Sequence, residues 1–312
     1  MKPYALELPA DYRLDDVLAF HRRDAESIAE EVSAERLRKG VLLDGVPVVL
    51  DIALPVTDAP ARVGTSAHAD HAAAYANIAI HADGTLSAAG REQAGDAALN
   101  ILGLRIDPAP FYAFVKKDKL FAALARRQPG LRIVQSATVF EALTWAIIGQ
   151  QINLSFAIAL RRTFILQAGR QHSSGLWCYP DASSAAALSV DDLTSRKFSR
   201  AKAETLLRLA TLVADGTLRL DLTDDNSIEQ ISAALLAVKG IGPWTVNYGL
   251  LRGYGYADCS LHGDVAVRAA LQTLLGEEVK PDIRRTEEIL ARYSPHRTMA
   301  AAHLWASLHP RD

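Results

Sequence analysis

The sequence predicts an α+β protein in which an N-terminal antiparallel sheet with helices precedes an all-α region. Within residues 1–107, β-branched runs flank the dipeptide Asp44-Gly45, which is a strong hairpin signal. After Pro108 the pattern becomes helical almost throughout, with turns marked by glycine and proline. We therefore predict two domains, a mixed α+β domain over 1–107 and a helical domain over 108–312.

Short local patterns predict the individual elements. The N-terminal domain should contain a helix over 15–29, two strands around Asp44-Gly45, a strand-like segment with a turn at Asp83-Gly84, and a covering helix over 88–102. Helical runs in the second domain cover 111–126, 138–149, 154–168, 199–214, 227–238, 243–253, 264–275, 282–292 and 296–308. Ser227 followed by Gln230 is typical of a capping box.

Composition excludes several classes of protein. With 49% hydrophobic and 22% charged residues, the 312-residue chain is neither disordered nor fibrous. No apolar run approaches the about 20 residues that span a bilayer, and the N-terminus turns acidic too early for a signal peptide. Cys178 and Cys259 are too few for an iron–sulfur cluster or an all-cysteine zinc site. We expect a cytoplasmic protein without membrane contact, nucleoid-associated if bacterial.

The net charge of −2 conceals an asymmetry between the two domains. Residues 1–107 carry 10 Lys/Arg against 17 Asp/Glu, a net −7, and residues 108–312 carry 24 against 19, a net +5. An anionic partner should therefore bind the helical domain. Candidate phosphate contacts, considered as a group because each alone is typical of a solvated surface, are Arg161, Arg162, Lys197, Arg200, Lys202, Arg252 and Arg268.

A glycine turn, Gly240-Ile241-Gly242, separates two predicted helices. Glycine permits backbone angles that a Cβ forbids and lets another molecule approach closely, while Ile241 would keep the turn rigid. The helix that follows offers free N–H groups to a phosphate oxygen, and Lys239 could add a cationic contact. The alternative is an ordinary turn in which the glycines only cap a helix.

Several motifs resemble one family of proteins. They are VKGIGPWTVNYGLLRG, SLHGDVAVRAAL, FEALTWAIIGQQINLSFAIAL, QPGLRI and SPHRTMAAAHLWASL. Together the chain resembles the helix-hairpin-helix DNA glycosylases, specifically the AlkA-type 3-methyladenine DNA glycosylase II branch. The resemblance covers most of the helical region, assigns the helix-hairpin-helix to about 227–253, and matches 1–107 to the extra α+β domain of this branch.

Asp264 precedes an apolar helix, where aspartate alone is most simply an N-cap. The resemblance implies that Asp264 is the catalytic carboxylate, which stabilises positive charge on the deoxyribose as the bond to the base breaks. Asp258 is a weaker candidate. Relatives that also cut the DNA strand carry a lysine where this chain has Trp244, so the resemblance implies a monofunctional enzyme that leaves an abasic site.

The aromatic residues Trp244 and Tyr248 are four apart and share one helix face, which suits either core packing or a pocket for an extruded base. The resemblance favours the pocket, where electron-rich rings would attract cationic alkylated purines. In relatives that this chain resembles, a tryptophan after the corresponding proline stacks on the extruded base. Here His296 follows Pro295, and a histidine there could shift the lesion range toward neutral bases such as hypoxanthine.

The stretch Gly149-Gln150-Gln151 interrupts two apolar helices. The resemblance implies that Gln151 enters the minor groove to fill the gap left by the extruded base and that Gln150 lines the pocket or contacts a base edge. The alternative is a polar turn between helices. The resemblance also implies a structural monovalent cation, Na⁺ or K⁺, held by the backbone carbonyls of Leu236, Val238 and Gly240, and no cofactor for catalysis.

A separate group, His68, Asp70 and His71, is close enough in sequence to suggest a metal site, although its spacing matches no known ligand pattern and its surroundings favour a loop. The predicted function is excision of 3-methyladenine and 7-methylguanine type lesions from double-stranded DNA by a monomer. The alternatives are a glycosylase with a shifted range, toward hypoxanthine or oxidised bases, and a non-catalytic helix-hairpin-helix DNA-binding protein.

Overall fold

The computed structural model describes residues 2–55 and 73–308. The strands are β1 Tyr4–Leu8, β2 Glu30–Val32, β3 Arg36–Leu43, β4 Val46–Ala53, β5 Ala74–Ala82, β6 Arg170–Gln171 and β7 Trp177–Cys178. The first helices are α1 Leu14–His21, α2 Ala88–Ile101, α3 Ala109–Val115, α4 Phe121–Arg127, α5 Val139–Gly149, α6 Leu154–Ala168 and α7 Ala182–Ala186. The others are α8 Val190–Thr194, α9 Arg200–Ala214, α10 Ile228–Leu236, α11 Pro243–Gly249, α12 Val265–Leu275, α13 Ile283–Ala291 and α14 Arg297–Ser307.

The N-terminal sheet is antiparallel, with the strand order β1-β5-β4-β3-β2. The predicted hairpin at Asp44-Gly45 is confirmed, since both residues have positive φ, 52° and 69°, as a two-residue hairpin turn requires. Leu50, Ile52 and Ile78 are fully buried in the sheet, and α2 packs its small residues against it. The predicted α+β class is therefore confirmed.

A segment of the helical half completes the edge of this sheet. The backbone N–H of Leu42 donates to the Tyr179 carbonyl, and the N–H of Tyr179 donates to the carbonyl of Gly40. The packing of apolar side chains also crosses the predicted boundary, because Ala29 and Ile106 belong to the core of the helical half and Ala137 to that of the sheet. The boundary at 107/108 stays a prediction.

Three predicted helices differ from those observed. The run predicted over 243–253 continues past the end of α11 as a π-helical turn, Leu250–Tyr254. The helix predicted over 15–29 ends at His21, because the chain turns at Asp24, whose Oδ1 accepts a hydrogen bond from the Glu26 N–H at 3.1 Å. The run predicted over 111–126 is two helices, because Asp118 Oδ1 accepts the N–H groups of Leu120 and Phe121 and starts a new helix. The short helices α7 and α8 are not predicted from the sequence.

Four buried charges join the sheet to the helices. Lys39 on β3 donates to Glu30 at 2.6 Å and to Glu141 on α5 at 2.7 Å, and Arg161 on α6 donates to the same two carboxylates at 2.6 and 3.0 Å. Burial alone would raise the pKa of Glu141, but Lys39 and Arg161 hold that pKa below its ordinary value. Because two cations face two anions, the cluster is neutral and fixes how β2, β3, α5 and α6 meet.

Two further sequence predictions concern membrane contact and a metal site. In the part that the structure describes, no helix combines the length and apolar content needed to cross a membrane. The metal hypothesis at His68, Asp70 and His71 lies outside the described residues. Within 2–55 and 73–308, no group of three or more His, Cys, Asp and Glu side chains is arranged to hold a metal ion.

We predict that Lys39→Met destabilises the fold by about 3–5 kcal/mol, because it leaves two buried carboxylates facing one guanidinium. Urea denaturation followed by circular dichroism measures the free energy of unfolding. The control is Arg36→Met on the same strand, which removes an ion pair to Asp51 from a side chain that is 59% exposed and should cost less than about 1 kcal/mol. Equal losses in the two variants would contradict the structural role of the buried cluster.

Candidate active site

The turn between α10 and α11 uses its two glycines for different reasons. Gly240 has φ +97°, and a methyl group there would lie 2.0 Å from Oγ1 of Thr205 on α9. Gly242 is the N-cap of α11 with φ −108°, and a methyl group there would meet no atom within 4 Å. Gly240 is therefore required by the fold, whereas the space beside Gly242 is open to another molecule. Ile241 is buried, as predicted for the residue that anchors the turn.

The residues around this turn tie it to a second one, between α5 and α6. The side chain of Gln150 donates to the Gly240 carbonyl at 3.1 Å and to Thr245 Oγ1 at 2.9 Å, so its amide faces the hairpin. Gln151 beside it is exposed, and its backbone φ is +55°, which is uncommon for a residue other than glycine. The two turns predicted to contact DNA are thus joined by one amide.

Two basic side chains of α9 donate hydrogen bonds to the backbone of the two turns. The Lys239 side chain is exposed, and its carbonyl accepts a hydrogen bond from Arg208 at 3.1 Å. Lys202 donates to the backbone carbonyl of Gln150. Because α9 contacts both turns, it holds the exposed Gln151 at a fixed distance from the glycine hairpin.

Asp264 is the N-cap of α12, and its carboxylate accepts four N–H groups. Oδ1 accepts the backbone N–H groups of Ala266 and Val267, each at 2.9 Å, and the indole N–H of Trp305 at 3.1 Å. Oδ2 accepts the indole N–H of Trp244 at 2.9 Å. The side chain is only partly buried, so a rigidly oriented anion stays within reach of a ligand.

Aromatic rings surround this carboxylate. The rings of Trp244 and Tyr248 lie 5.3 Å apart at 34°, and those of Tyr248 and Trp305 lie 6.4 Å apart at 56°. The Tyr248 hydroxyl accepts the indole N–H of Trp145 at 2.9 Å. The structure therefore brings Asp264, Trp244 and Tyr248 together, as the family resemblance implies, and adds two tryptophans from α5 and α14.

Trp145 and Trp305 are site residues that the sequence analysis does not name. The expected aromatic contact from α14 is His296 at its start, but the His296 ring packs against Phe114 at 5.3 Å, whereas Trp305 near the end of the helix reaches Asp264. One signal was available, because the chain has four tryptophans and Trp305 lies in a motif of the family resemblance. A role of His296 in base binding stays a prediction.

The other carboxylate considered, Asp258, is occupied elsewhere. Arg297 donates to both of its oxygens, at 2.7 and 2.8 Å, and the Ser294 hydroxyl donates to Oδ2 at 2.8 Å. Burial alone would raise the pKa of Asp258, but these hydrogen bonds hold it below its ordinary value. Asp258 thus anchors the start of α14 and does not face the aromatic cluster.

Three of the seven basic residues named as phosphate contacts are engaged inside the protein. Arg161 belongs to the buried charge cluster, Arg162 binds Asp24 and Glu26, and Arg252 contacts aromatic rings. Arg161 is buried among partners that sequence spacing does not reveal, so its prediction as a surface contact is wrong. Arg162 and Arg252 are half-buried, and a phosphate contact by either stays a prediction. The exposed members of the group are Lys197 and Arg200.

Comparison with known proteins identifies the family. No protein-family model matches the chain. Over 206 residues the chain is 31% identical to the DNA-3-methyladenine glycosylase of Bacillus subtilis (strain 168), a match that spans 65% of this chain and 68% of the relative. The chain belongs to the DNA-3-methyladenine glycosylase family. It is also 29% identical over 184 residues to DNA-3-methyladenine glycosylase 2 of Escherichia coli (strain K12), with 58% of this chain and 62% of the relative covered.

Solved structures share the fold of this glycosylase-family chain. The 3-methyladenine DNA-glycosylase from Archaeoglobus fulgidus matches with a TM-score of 0.75 at 20% identity, covering 97% of both chains. A Clostridium acetobutylicum 8-oxoguanine glycosylase/lyase, in complex with double-stranded DNA, matches with a TM-score of 0.66 at 14% identity, also covering 97% of both. The chain matches about two thirds of the length of its curated relatives. The predicted family and fold are confirmed.

We predict that Gly240→Ala lowers the free energy of unfolding by about 1–3 kcal/mol, because alanine is strained at φ +97° and its methyl group clashes with Thr205. Gly242→Ala is the matched control, since its φ is accessible to alanine and its surroundings are open, and it should cost no more than about 1 kcal/mol. Urea denaturation compares the two. A larger loss at Gly242 would show that the roles of the glycines are reversed.

Proposed function

We propose that this protein is a monofunctional DNA glycosylase that hydrolyses the N-glycosidic bond of alkylated purines, of the 3-methyladenine and 7-methylguanine type, and leaves an abasic site for base excision repair. The observation that carries the proposal is the Asp264 carboxylate, held by four N–H donors beside Trp244, Tyr248 and Trp305. A protein that only gripped the DNA backbone would have no use for this arrangement.

The chemistry follows from the charge that develops as the bond breaks. The electron pair between C1′ and the base nitrogen leaves with the base, and the sugar acquires oxocarbenium-like positive charge. A fixed carboxylate stabilises that charge more in the transition state than in the ground state. A water oxygen then bonds to C1′, and Asp264 can accept the proton that the water loses. Asp264 reorients little during these steps because its N–H donors already hold it.

The absence of strand cleavage is supported by the side chain at the position of the lyase lysine. Trp244 stands there, and its indole N–H donates to Asp264, so this residue offers no amine that could form an imine with C1′. Lys239 lies before the hairpin with an exposed side chain, which suits a phosphate contact better. We therefore propose that the reaction stops at the abasic site.

DNA binding is proposed for the surface that holds both turns. The open space beside Gly242 would admit a phosphate, Lys239 would add a charge, and Gln151 would fill the gap that base extrusion leaves in the duplex. Gln150, predicted as a substrate-binding residue, would act from the hairpin side, where its amide is already bonded. We also propose that the enzyme works as a cytoplasmic monomer.

The monovalent cation is proposed on the same turn. The Val238 carbonyl accepts one N–H, from Ile241 at 3.0 Å, and the Gly240 carbonyl accepts the Gln150 amide at 3.1 Å. Each carbonyl oxygen has a second lone pair, so these residues and Leu236 fit a weakly held cation. The cation would neutralise phosphate charge at the hairpin, away from the reacting bond.

The test is incubation of the purified protein with duplex DNA that contains single lesions. Strands should break only after alkali treatment, because hydrolysis leaves an intact backbone. Asp264→Asn should lower the excision rate by more than about 100-fold, in line with loss of a transition-state charge, while DNA binding remains. Breaks without alkali, or an enzyme–DNA adduct trapped by borohydride, would overturn the monofunctional assignment.

A second variant tests how the carboxylate is held. Trp305→Phe keeps a ring beside Tyr248 but removes the N–H that donates to Asp264, and we expect excision to fall by about tenfold with little change in DNA affinity. Trp244→Phe is the matched variant, because it removes the donor to the other oxygen. If both variants kept the wild-type rate, the two indoles would only fill space.

A further inference from the structure

The two turns that are proposed to contact DNA share one backbone pattern. In the turn between α5 and α6, Gln150 has φ −56° and ψ 126°, and Gln151 has φ +55°. In the hairpin, the Ile241 N–H donates to the Val238 carbonyl at 3.0 Å, and φ is +97° at Gly240. Both patterns are those of a type II turn, in which the third of four residues needs a positive φ.

A type II turn differs from a type I turn mainly in the orientation of its central peptide group. Between the two types, ψ of the second residue and φ of the third change by roughly 150–170°, so this peptide turns over and its carbonyl points to the opposite side. The carbonyl in question belongs to Gln150 in the α5–α6 turn and to Lys239 in the hairpin. A hydrogen-bond donor placed beside either carbonyl therefore selects the type of turn.

One face of α9 supplies such a donor to each turn. Lys202 donates to the Gln150 carbonyl, and Arg208 donates to the Lys239 carbonyl at 3.1 Å. Thr205 stands between the two donors and lies beside the hairpin backbone. Residues three apart in a helix share a face, so a single rigid helix bonds to the central peptides of both turns.

The two turns differ in how much they need this bond. Gly240 adopts a positive φ without a steric penalty, because it has no Cβ. Gln151 has a Cβ, and for such a residue the left-handed region of backbone space is disfavoured. The orientation of the α5–α6 turn therefore depends on its hydrogen bonds more than that of the hairpin does.

The ammonium group of Lys202 is half-buried at this turn. Burial lowers the pKa of Lys202 below its ordinary value, and among the residues that the structure describes no carboxylate forms an ion pair with it. Removing an ammonium from water is unfavourable unless hydrogen bonds replace the lost hydration. The bond to the Gln150 carbonyl provides that replacement, which a fully solvated lysine would not need.

Resting on the glycosylase function proposed above, we propose that Lys202 is a positioning residue for base extrusion. It holds the peptide between Gln150 and Gln151 in the type II orientation before DNA binds, so that Gln151 is presented to the duplex in one conformation. Arg208 has the same role at the hairpin, where glycine makes its contribution smaller. Because the turn is already ordered, extruding the base does not also require the turn to be rearranged.

The experiment compares single-turnover excision of 7-methylguanine from two duplexes, one with cytosine and one with an abasic site opposite the lesion. Extrusion costs less when the lesion is unpaired, so the conformation of Gln151 matters less in the second duplex. Lys202→Met should lower the rate by about tenfold in the first duplex and by less than about threefold in the second. A purely structural defect would lower both rates equally and would contradict the inference.

Two further variants separate the hydrogen bond from the charge. Lys202→Arg keeps a cationic donor and should change the ratio of the two rates less than Lys202→Met does. Arg196→Met is the matched control, because the Arg196 guanidinium also donates to a backbone carbonyl, that of Asp192 at 3.0 Å, but lies outside both turns. The control should keep the wild-type ratio, and an equal change in it would show that loss of any nearby cation is sufficient.

The variant Gln151→Asn tests the backbone conformation directly. Asparagine tolerates a positive φ better than glutamine does and keeps a side-chain amide. Lys202→Met should therefore cost less in the Gln151→Asn background than in the wild type, and a double-mutant cycle measures the coupling. Equal costs in the two backgrounds would mean that Lys202 does not act through this turn.

NMR of the DNA-free protein, labelled at glutamine, separates this inference from the proposed function. With ψ at 126°, the α proton of Gln150 lies close to the amide proton of Gln151, and a cross-peak between them reports the type II turn. Lys202→Met should weaken this cross-peak, and circular dichroism verifies folding. If the wild type excised no base, the glycosylase proposal would fail, while the cross-peak would still decide the role of Lys202. An unchanged cross-peak in Lys202→Met would show the inference to be wrong.

Discussion

The arrangement of the site depends on one carboxylate whose four N–H partners come from three helices. Two partners are backbone groups of the first turn of α12, which make Asp264 a helix cap. The other two are indole N–H groups from α11 and α14, so the position of Asp264 depends on how all three helices pack. Capping is therefore compatible with the proposed catalytic role, because the bonds that stabilise the helix also orient the carboxylate.

The N-terminal sheet takes part in this arrangement through the buried charges. Lys39 and Glu30 belong to the sheet, whereas Glu141 and Arg161 belong to α5 and α6. The helix α5 also carries Trp145, which donates to the Tyr248 hydroxyl. A neutral cluster of this kind adds little net stability but allows only one register between its elements. The sheet thus helps to place Trp145 beside Tyr248.

Local patterns predicted the parts of the site that are close in sequence. The hairpin glycines, the aromatic pair four residues apart and the N-cap aspartate all follow from rules that act within a few turns of helix. Local patterns do not predict the roles of Trp305 and Arg252, because Trp305 contacts Asp264, 41 residues away, and Arg252 contacts Phe20. The sequence shows that Arg252 carries a positive charge. Only the packing shows that its guanidinium contacts aromatic rings.

The proposed role of Asp264 does not depend on which base leaves. Breaking the bond to a neutral base places positive charge on the sugar and negative charge on the base, whereas a base that is already cationic leaves as a neutral molecule. The sugar becomes positive in both cases, so the same carboxylate would stabilise either transition state. Its four N–H partners come from the protein alone, and they hold the carboxylate in place whatever base is bound.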